Sequence, residues 1–542
     1  MHYQVYDVEA LLETKGANLI TVDVAPGWLA SVLAWVDGRR CMFGDELGLL
    51  AQLYVSFKDG DAEMFVVGTD CQWQCQCSRI TSSEIYNGEV YDMTFESAPV
   101  TRGEAQSTSS RTNPQAVKVV SFDFAKLVSP NAPTVRDTEA VRPVSIFESA
   151  SGKTIIDFGQ NLVGWLQIFE LRKPAGHVVQ FRHAEVMENG ELGTVLNGMK
   201  SSAGLETSKS LPRLQTSCTT RLACWGTGST ILLAEQMEPW RERVPPFVVP
   251  DVITKAHPDD DDFWPHIPNA VWDDAAVLVP WSLYLASGDK EVLEKQYESM
   301  TSWIDRGLPR GTNGLWDANI YQLGDGLDPM APPAEPGNGR TAGAFVADTY
   351  LVRVTDVMTQ ACAVLGRDDD ANRYRSDCQR LKQAFHDKYA AKSGLLVADT
   401  QTALSLAVVF NLLDSPDQLA VVGDTLARAV RLQQFSVSTG FAGTPIITHA
   451  LTSTGHPELA YRMVLVKNCP SWMYPISMGV TTIWERWDSM LPDGSIKPGE
   501  MTSFNHYALG SVMNSLHECV GGISRLNPDG RESKSSLCRV GA

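Results

Sequence analysis

Residues 349–366 read TYLVRVTDVMTQACAVLG, and their periodicity decides the fold of the second half of the chain. Leu351, Val354, Met358, Ala361 and Leu365 recur at spacings of three and four, the period of a helix with one apolar face. The same period runs through DDAAVLVPWSLYLASGD (273–289), ANRYRSDCQRLKQAFHDKY (371–389), TALSLAVVFNLL (402–413), QLAVVGDTLARAV (418–430), THALTSTGHPELAYRMV (448–464) and FNHYALGSVMNSLHECV (504–520). Several of these segments follow Asp, Asn or Ser, which cap helix N-termini. Amphipathic helices joined by loops rich in Trp, Gly and Pro predict paired helices with their loops gathered at one end, a helical toroid whose loop end is a concave site.

Working outward, the first half changes period. LITVDV (19–24), GLLAQLYVSF (48–57) and EMFVVG (63–68) are short β-branched or aromatic runs bounded by turn formers, and read as antiparallel sandwich strands. RGEAQSTSSRTNPQ (102–115) reads as a loop. TIIDFGQNLVGWLQIFEL and HVVQFRHAEVM then suggest a second sandwich. The expected organisation is multidomain: a partial β-sandwich over 1–100, a second over 130–212, an aberrant junction over 213–246, a helical domain over 247–525 and a polar tail over 526–542.

Composition narrows the partners. The 542-residue chain is too long for one ordinary core, and the formal net charge of −19 disfavours nucleic acid and anionic membrane surfaces. No apolar stretch approaches the roughly 18–20 residues of a membrane span, and MHYQVYDVEALLETKG lacks a signal-peptide pattern, so the chain as given is expected in the cytosol, with secretion the alternative if its N-terminus is incomplete. Eleven scattered cysteines argue against a secreted disulfide framework. Cys71, Cys75 and Cys77 lack zinc-finger spacing, and the DDDD run at 259–262 reads as a solvated loop, so neither a metal nor a cofactor is expected.

Chemistry concentrates in SMGVTTIWERWDSML (477–491), where Glu485 lies between Trp484 and Trp487. Two readings are open from the window itself. Glu485 and Arg486 form a surface ion pair beside core tryptophans, or the rings stack on a sugar while the carboxylate activates water.

The wider set of motifs resembles the inverting α-L-rhamnosidases, which join β-sandwich domains to an (α/α)6 six-hairpin barrel. The matching stretches are DFGQNLVGW (157–165), FRHAEVMENGEL (181–192), PPFVVPDV (245–252), WDDAAVLVPWSLY (272–284), GDGLDPMAP (324–332), STGFAGTP (438–445), CPSWMYPISMGVTTIWERWDSM (469–490) and MTSFNHYALGSV (501–512), in family order. The resemblance implies N-terminal antiparallel β-sandwiches followed by a six-hairpin toroid, and hydrolysis of terminal α-L-rhamnose from plant glycosides or polysaccharides. It makes Glu485 the general base. It places Asp273 or Asp274, Asp325, Asp328 and His506 among the substrate-binding groups, with helix capping, a turn and a core histidine as the competing readings. Trp272, Trp316, Trp472, Trp484 and Trp487 are candidate stacking rings, about half of them expected to be core. Gly326 stands where the family usually carries a tryptophan.

One family element is missing. Inverting hydrolysis uses two carboxyl groups about 6.5–9.5 Å apart, an acid and a base of different pKa. The family's acid lies in a segment resembling DCPQRDERLGWTGDAQ, whereas this chain reads LQTSCTTRLACWGTGSTILLAEQMEPW (214–240), with Glu235 and Glu238 as its carboxylates. A broken reading frame or mispredicted splice over this segment is the expected cause, and a weak or inactive enzyme the expected result; the tail after Gly522 suggests a similar truncation of a small C-terminal β-sandwich. The alternatives are a rhamnose-binding pseudoenzyme and, from a different chemistry, a toroidal polysaccharide lyase.

Overall fold

A computed structural model describes residues 3–13, 15–33, 39–57, 64–84, 87–92, 114–129, 138–162, 164–169, 173–174, 177–193, 195–196, 199–200, 205–208, 220–221, 244–246, 248, 267–332, 335–499 and 501–535. The loop expected at 102–115 lies largely outside them, as do the DDDD run, Cys218, Cys224, Glu235 and Glu238. Two compact units emerge, one of Met1–Val135, Leu162–His183 and Ser201–Ala223, the other of Arg136–Asn161, Ala184–Lys200 and Cys224–Ala542.

The first unit is β-structured. β1 (Gln52–Val55) pairs antiparallel with β2 (Phe65–Gly68), inside two of the expected runs. A four-stranded sheet orders Val178–Phe181, Leu205–Ser208, Gly88–Tyr91 and Ile80–Glu84, with one parallel pairing that sets Glu206 opposite Val90. LITVDV is not a strand, and its Leu19, Ile20, Val22 and Val24 side chains are exposed. A β-branched run pairs only where a neighbouring strand offers a ladder and a buried face. Cys71, Cys75 and Cys77 are free and exposed, and no group of three metal-ligating side chains occurs among the described residues.

The second unit opens with the hairpin Ser145–Glu148 and Thr154–Asp157, then Met187–Glu188 paired with Glu191–Leu192. Its body is helical: α1 (Ala275–Ser287), α2 (Lys290–Ser302), α3 (Gly343–Val364), α4 (Asp368–Tyr389), α5 (Gln401–Val409), α6 (Pro416–Leu432), α7 (Ile447–Ser453), α8 (Pro457–Leu465), α9 (Met473–Ser477) and α10 (Val512–Ser515). Four consecutive pairs pack as hairpins, α1 on α2, α3 on α4, α5 on α6 and α7 on α8. The first members also touch in series, α1 with α3, α3 with α5, α5 with α7 and α7 with α10.

That arrangement explains the residue patterns. Helix α3 is walled by neighbours and buries Phe345 to Leu351 almost continuously, together with Val354, Val357, Met358 and Ala361. Helix α4 lies outside and buries one stripe, Ala371, Tyr374, Cys378, Leu381, Phe385 and Tyr389. Asp368, Asp369 and Asp370 fill its first turn and Lys388 its last, each matched to the helix dipole. Thr400 and Ser415 cap α5 and α6 by accepting from Ala403 N and Gln418 N. The single helix expected over 448–464 is two, because Gly455 takes φ +87° and Pro457 starts the second. Among the described residues, no helix is long and apolar enough to cross a membrane.

Candidate active site

Four loops converge in the second unit. The first two, GDGLDP and STGFAGTP, are stitched by one carboxylate. Asp325 Oδ1 accepts from Ala442 N (2.9 Å) and Gly443 N (3.1 Å), and Oδ2 accepts from Gly440 N (2.8 Å) and the Thr402 hydroxyl. Phe441 N donates to Gly326 O at 2.9 Å. Gly440 must be glycine, because a Cβ there would collide with the carbonyls of Gly326 and Asp325. Asp328 completes the frame by accepting from Met330 N (2.9 Å), Arg340 N (3.1 Å) and Arg340 Nε (3.2 Å), while Arg340 also donates to Ser438 O (3.0 Å).

Phe441 carries the connection onward by stacking on the ring of His506, with centroids 5.2 Å apart and planes 12° apart. The other neighbour of that ring is Tyr507, also parallel. Ala508 N donates to His506 Nδ1 (3.3 Å), and burial pushes the imidazole down to about 4, so it is neutral with its proton on Nε2. His506 N in turn donates to Ile483 O (2.8 Å), beside the Glu485 loop. Glu485 N donates to Ser503 O and Ser503 N donates to Glu485 Oε2, both at 2.9 Å. The result is a Glu485 side chain 5% exposed, with its carboxylate oriented by the Ser503 backbone N–H. Arg486 pairs with Asp488 (3.4 Å), and Lys497 with the other Asp488 oxygen (2.8 Å); Glu485 and Arg486 are both buried, so neither is the surface group that one reading of the sequence had.

The expected rings separate into core and site. Trp484 is 1% exposed and packed edge-on by Tyr474 and Phe504. Trp487 donates Nε1–H to Thr439 O (3.0 Å) and packs edge-on against Trp472, which donates to Leu509 O (2.9 Å). Trp316 is buried too. All four are buried, as the core reading of these rings has it, and Trp472, Trp484 and Trp487 pack within the loops of the site. Trp272 is only half-buried, and its Cη2 lies 3.5 Å from where a Gly326 side chain would begin. With glycine at position 326, no side chain from that position covers the Trp272 ring.

The aspartates separate as well. With four donors on its two oxygens, Asp325 has no lone pair left for a sugar hydroxyl. Asp274 is fully buried, accepting from Val271 N (2.8 Å) and Trp303 Nε1 (2.9 Å). Both are frame, which corrects the substrate-binding expectation for them. Asp273 differs. Its Oδ2 accepts from Asn269 N (2.8 Å), its Oδ1 is buried without a partner, and burial pushes it up to about 8. Burial raises Asp274 and Asp325 to about 6.

A stability prediction follows. For Asp273 the unfolded carboxyl ionises near its ordinary value of 3.8 and the folded one near 8, so the folded state holds the extra proton between those pH values. Its favourable contribution is complete below about 4 and is lost as pH rises through 8. Asp273→Asn is therefore expected to match wild type near pH 4 and to exceed it by on the order of 5 kcal/mol near pH 8, read by urea unfolding at both values. Equal urea midpoints for the two proteins at pH 8 would refute it.

Sequence reasoning passed over Glu185, Phe441 and Ser503. Glu185 lay in a matched motif, FRHAEVMENGEL, but no letter pattern ties it to a loop more than 300 positions away. The segment expected to hold the general acid lies outside the described residues except for Thr220 and Arg221.

Comparison with known proteins bears on the family and the fold. Residues 230–520 match the bacterial α-L-rhamnosidase six-hairpin glycosidase domain, 1–139 the α-L-rhamnosidase N-terminal domain, and 147–205 the bacterial α-L-rhamnosidase concanavalin-like domain. An α-L-rhamnosidase of Streptomyces avermitilis is 30% identical over 97% of this chain and 56% of its own length, and one of Alteromonas sp. is 25% identical over 96% and 64%. The chain therefore spans between half and two thirds of these relatives. Among solved structures, native α-L-rhamnosidase from Aspergillus terreus superposes with a TM-score of 0.83 at 31% identity, covering 95% of this chain and 68% of that one. The Streptomyces avermitilis enzyme complexed with L-rhamnose gives 0.73 at 25%, covering 95% and 56%. With a six-hairpin match over more than half of its length, preceded by both β-domains in order, the chain belongs to the α-L-rhamnosidase family.

Proposed function

We propose that this chain is a glycoside hydrolase that releases terminal non-reducing α-L-rhamnose from plant glycosides or polysaccharides with inversion, Glu485 acting as general base. The observation that carries this reading is the Glu485 carboxylate, aimed by reciprocal bonds with Ser503 in the loop cluster that also holds His506. A base must be ionised and rigid, and a backbone N–H on Oε2 favours the ionised form. Water held by Glu485 attacks the anomeric carbon, the carboxylate takes its proton, and the C1–O bond breaks with its electron pair departing on the aglycone oxygen, which leaves as the anion and is protonated by solvent. In this reading Trp272 offers its open edge to the sugar, neutral His506 donates from Nε2, and the protonated Asp273 donates from its unpartnered oxygen. The family relationship and the rhamnose complex of the Streptomyces relative support the substrate class.

The test follows hydrolysis of p-nitrophenyl α-L-rhamnoside by proton NMR. Inversion yields β-L-rhamnose first, followed by slow mutarotation. An α-anomer appearing first would exclude the general-base role, and rhamnose binding with no hydrolysis would make the chain a binding protein.

A further inference from the structure

Glu185 follows the strand Val178–Phe181 by four residues and belongs to the second unit, as do the loops of the site. Its Oε2 accepts from Phe504 N at 2.7 Å, and the Ser503 hydroxyl reaches it at 3.4 Å. Ser503 is also the residue whose backbone N–H holds Glu485 Oε2 and whose carbonyl accepts from Glu485 N. One residue therefore joins two carboxylates 300 positions apart in sequence. The peptide is pinned from its other side too: Phe504 O accepts from Thr482 Oγ1 (2.6 Å) and Asn161 Nδ2 (3.5 Å), and Asn161 N donates to Thr481 Oγ1 (2.9 Å).

A carboxylate placed on that peptide has an identifiable task. The Ser503–Phe504 segment is loop, preceding the short helical turn Ala508–Ser511, so no ladder fixes the direction of the Ser503 N–H. We propose that Glu185 is a positioning residue for the base: by anchoring Ser503 and Phe504, it keeps the Ser503 N–H aimed at Glu485 Oε2. This rests on Glu485 being the base. Burial raises the Glu185 carboxyl above its ordinary range against the pull of the Phe504 N–H and the Ser503 hydroxyl, as expected of a group held inside the packing. Among the described residues, Arg486, Asp488 and Lys497 beside the base loop pair with one another and are common to every variant below.

The experiment compares wild type, Glu185→Ala, Glu185→Gln and Glu485→Gln in the full chain, with p-nitrophenyl α-L-rhamnoside as substrate. Misaiming the base costs turnover more than affinity, so Glu185→Ala is expected to lose about 10–100-fold in kcat with KM nearly unchanged. The acidic limb of its kcat/KM profile moves to higher pH, because the ionised base has lost its N–H partner. Glu185→Gln keeps an oxygen for Phe504 N–H and recovers most of the rate. Deuterium exchange of peptides spanning 501–508 accelerates in Glu185→Ala and not in Glu185→Gln, a readout that needs no turnover. An unchanged acidic limb with unchanged exchange overturns the proposal. If Glu485→Gln keeps the wild-type rate, the base assignment fails instead, whatever Glu185 does.

Discussion

Glu485→Gln is expected to lower kcat on p-nitrophenyl α-L-rhamnoside by about 10²–10⁴-fold, the usual contribution of a general base. The substitution is chosen for what it leaves intact. Glutamine retains an acceptor for Ser503 N–H and nearly the same volume in a site that is 5% exposed, so the loop contacts survive and the loss is chemical. Glu485→Ala separates the proton-accepting role further. Azide is an anionic nucleophile that needs no deprotonation, so it attacks C1 directly, forms β-L-rhamnosyl azide and expels the phenolate. Rescue of Glu485→Ala by azide, with that product and anomer, is the expected result. A Glu485→Gln variant retaining a third or more of the wild-type rate would remove Glu485 from the mechanism.

How much of this was legible in the sequence differs between elements. Helices α3 and α4 were readable because packing imposes a period on side chains, and the period is written in letters such as Leu351, Val354, Met358 and Tyr374, Cys378, Leu381. The start of the last helical segment was not. Phe504, Leu509 and Val512 continue an apolar spacing, yet Phe504 is buried in a loop by the edge of Trp484, and helical turns begin only at Ala508. In the site, Glu485 was legible as part of a motif, whereas the roles of Asp325 and Asp274 were not. Their partners are mostly backbone N–H groups, which every residue but proline carries and no letter marks. Trp484 and Trp487 were misleading for a related reason: an aromatic beside a catalytic carboxylate reads as a sugar platform, and here both rings hold the loop that aims it.

The second large effect concerns the other half of the reaction. Between 214 and 240 the chain has only Glu235 and Glu238 as carboxylates, and no family-like acidic segment. Without a positioned acid, the departing oxygen must leave as an anion, and the barrier then follows the stability of that anion. A 2,4-dinitrophenyl rhamnoside needs no proton to depart, whereas an alkyl rhamnoside does. The ratio of their kcat values is expected to exceed that of an acid-equipped family member by about 10²–10⁴-fold, the share that general acid catalysis supplies. The pH profile changes correspondingly. With the activated substrate only the base titrates, so the rate rises through the Glu485 pKa and then stays level, instead of falling at alkaline pH as a two-carboxyl site does. Measuring kcat across dinitrophenyl, nitrophenyl and methyl rhamnosides gives both quantities. A shallow dependence with a bell-shaped profile would mean that this chain does protonate its leaving group. Loss of the alkaline limb in Glu235→Gln or Glu238→Gln would then name the residue, and a limb unmoved in both would direct the search to Asp273, the buried carboxyl that burial pushes up to about 8.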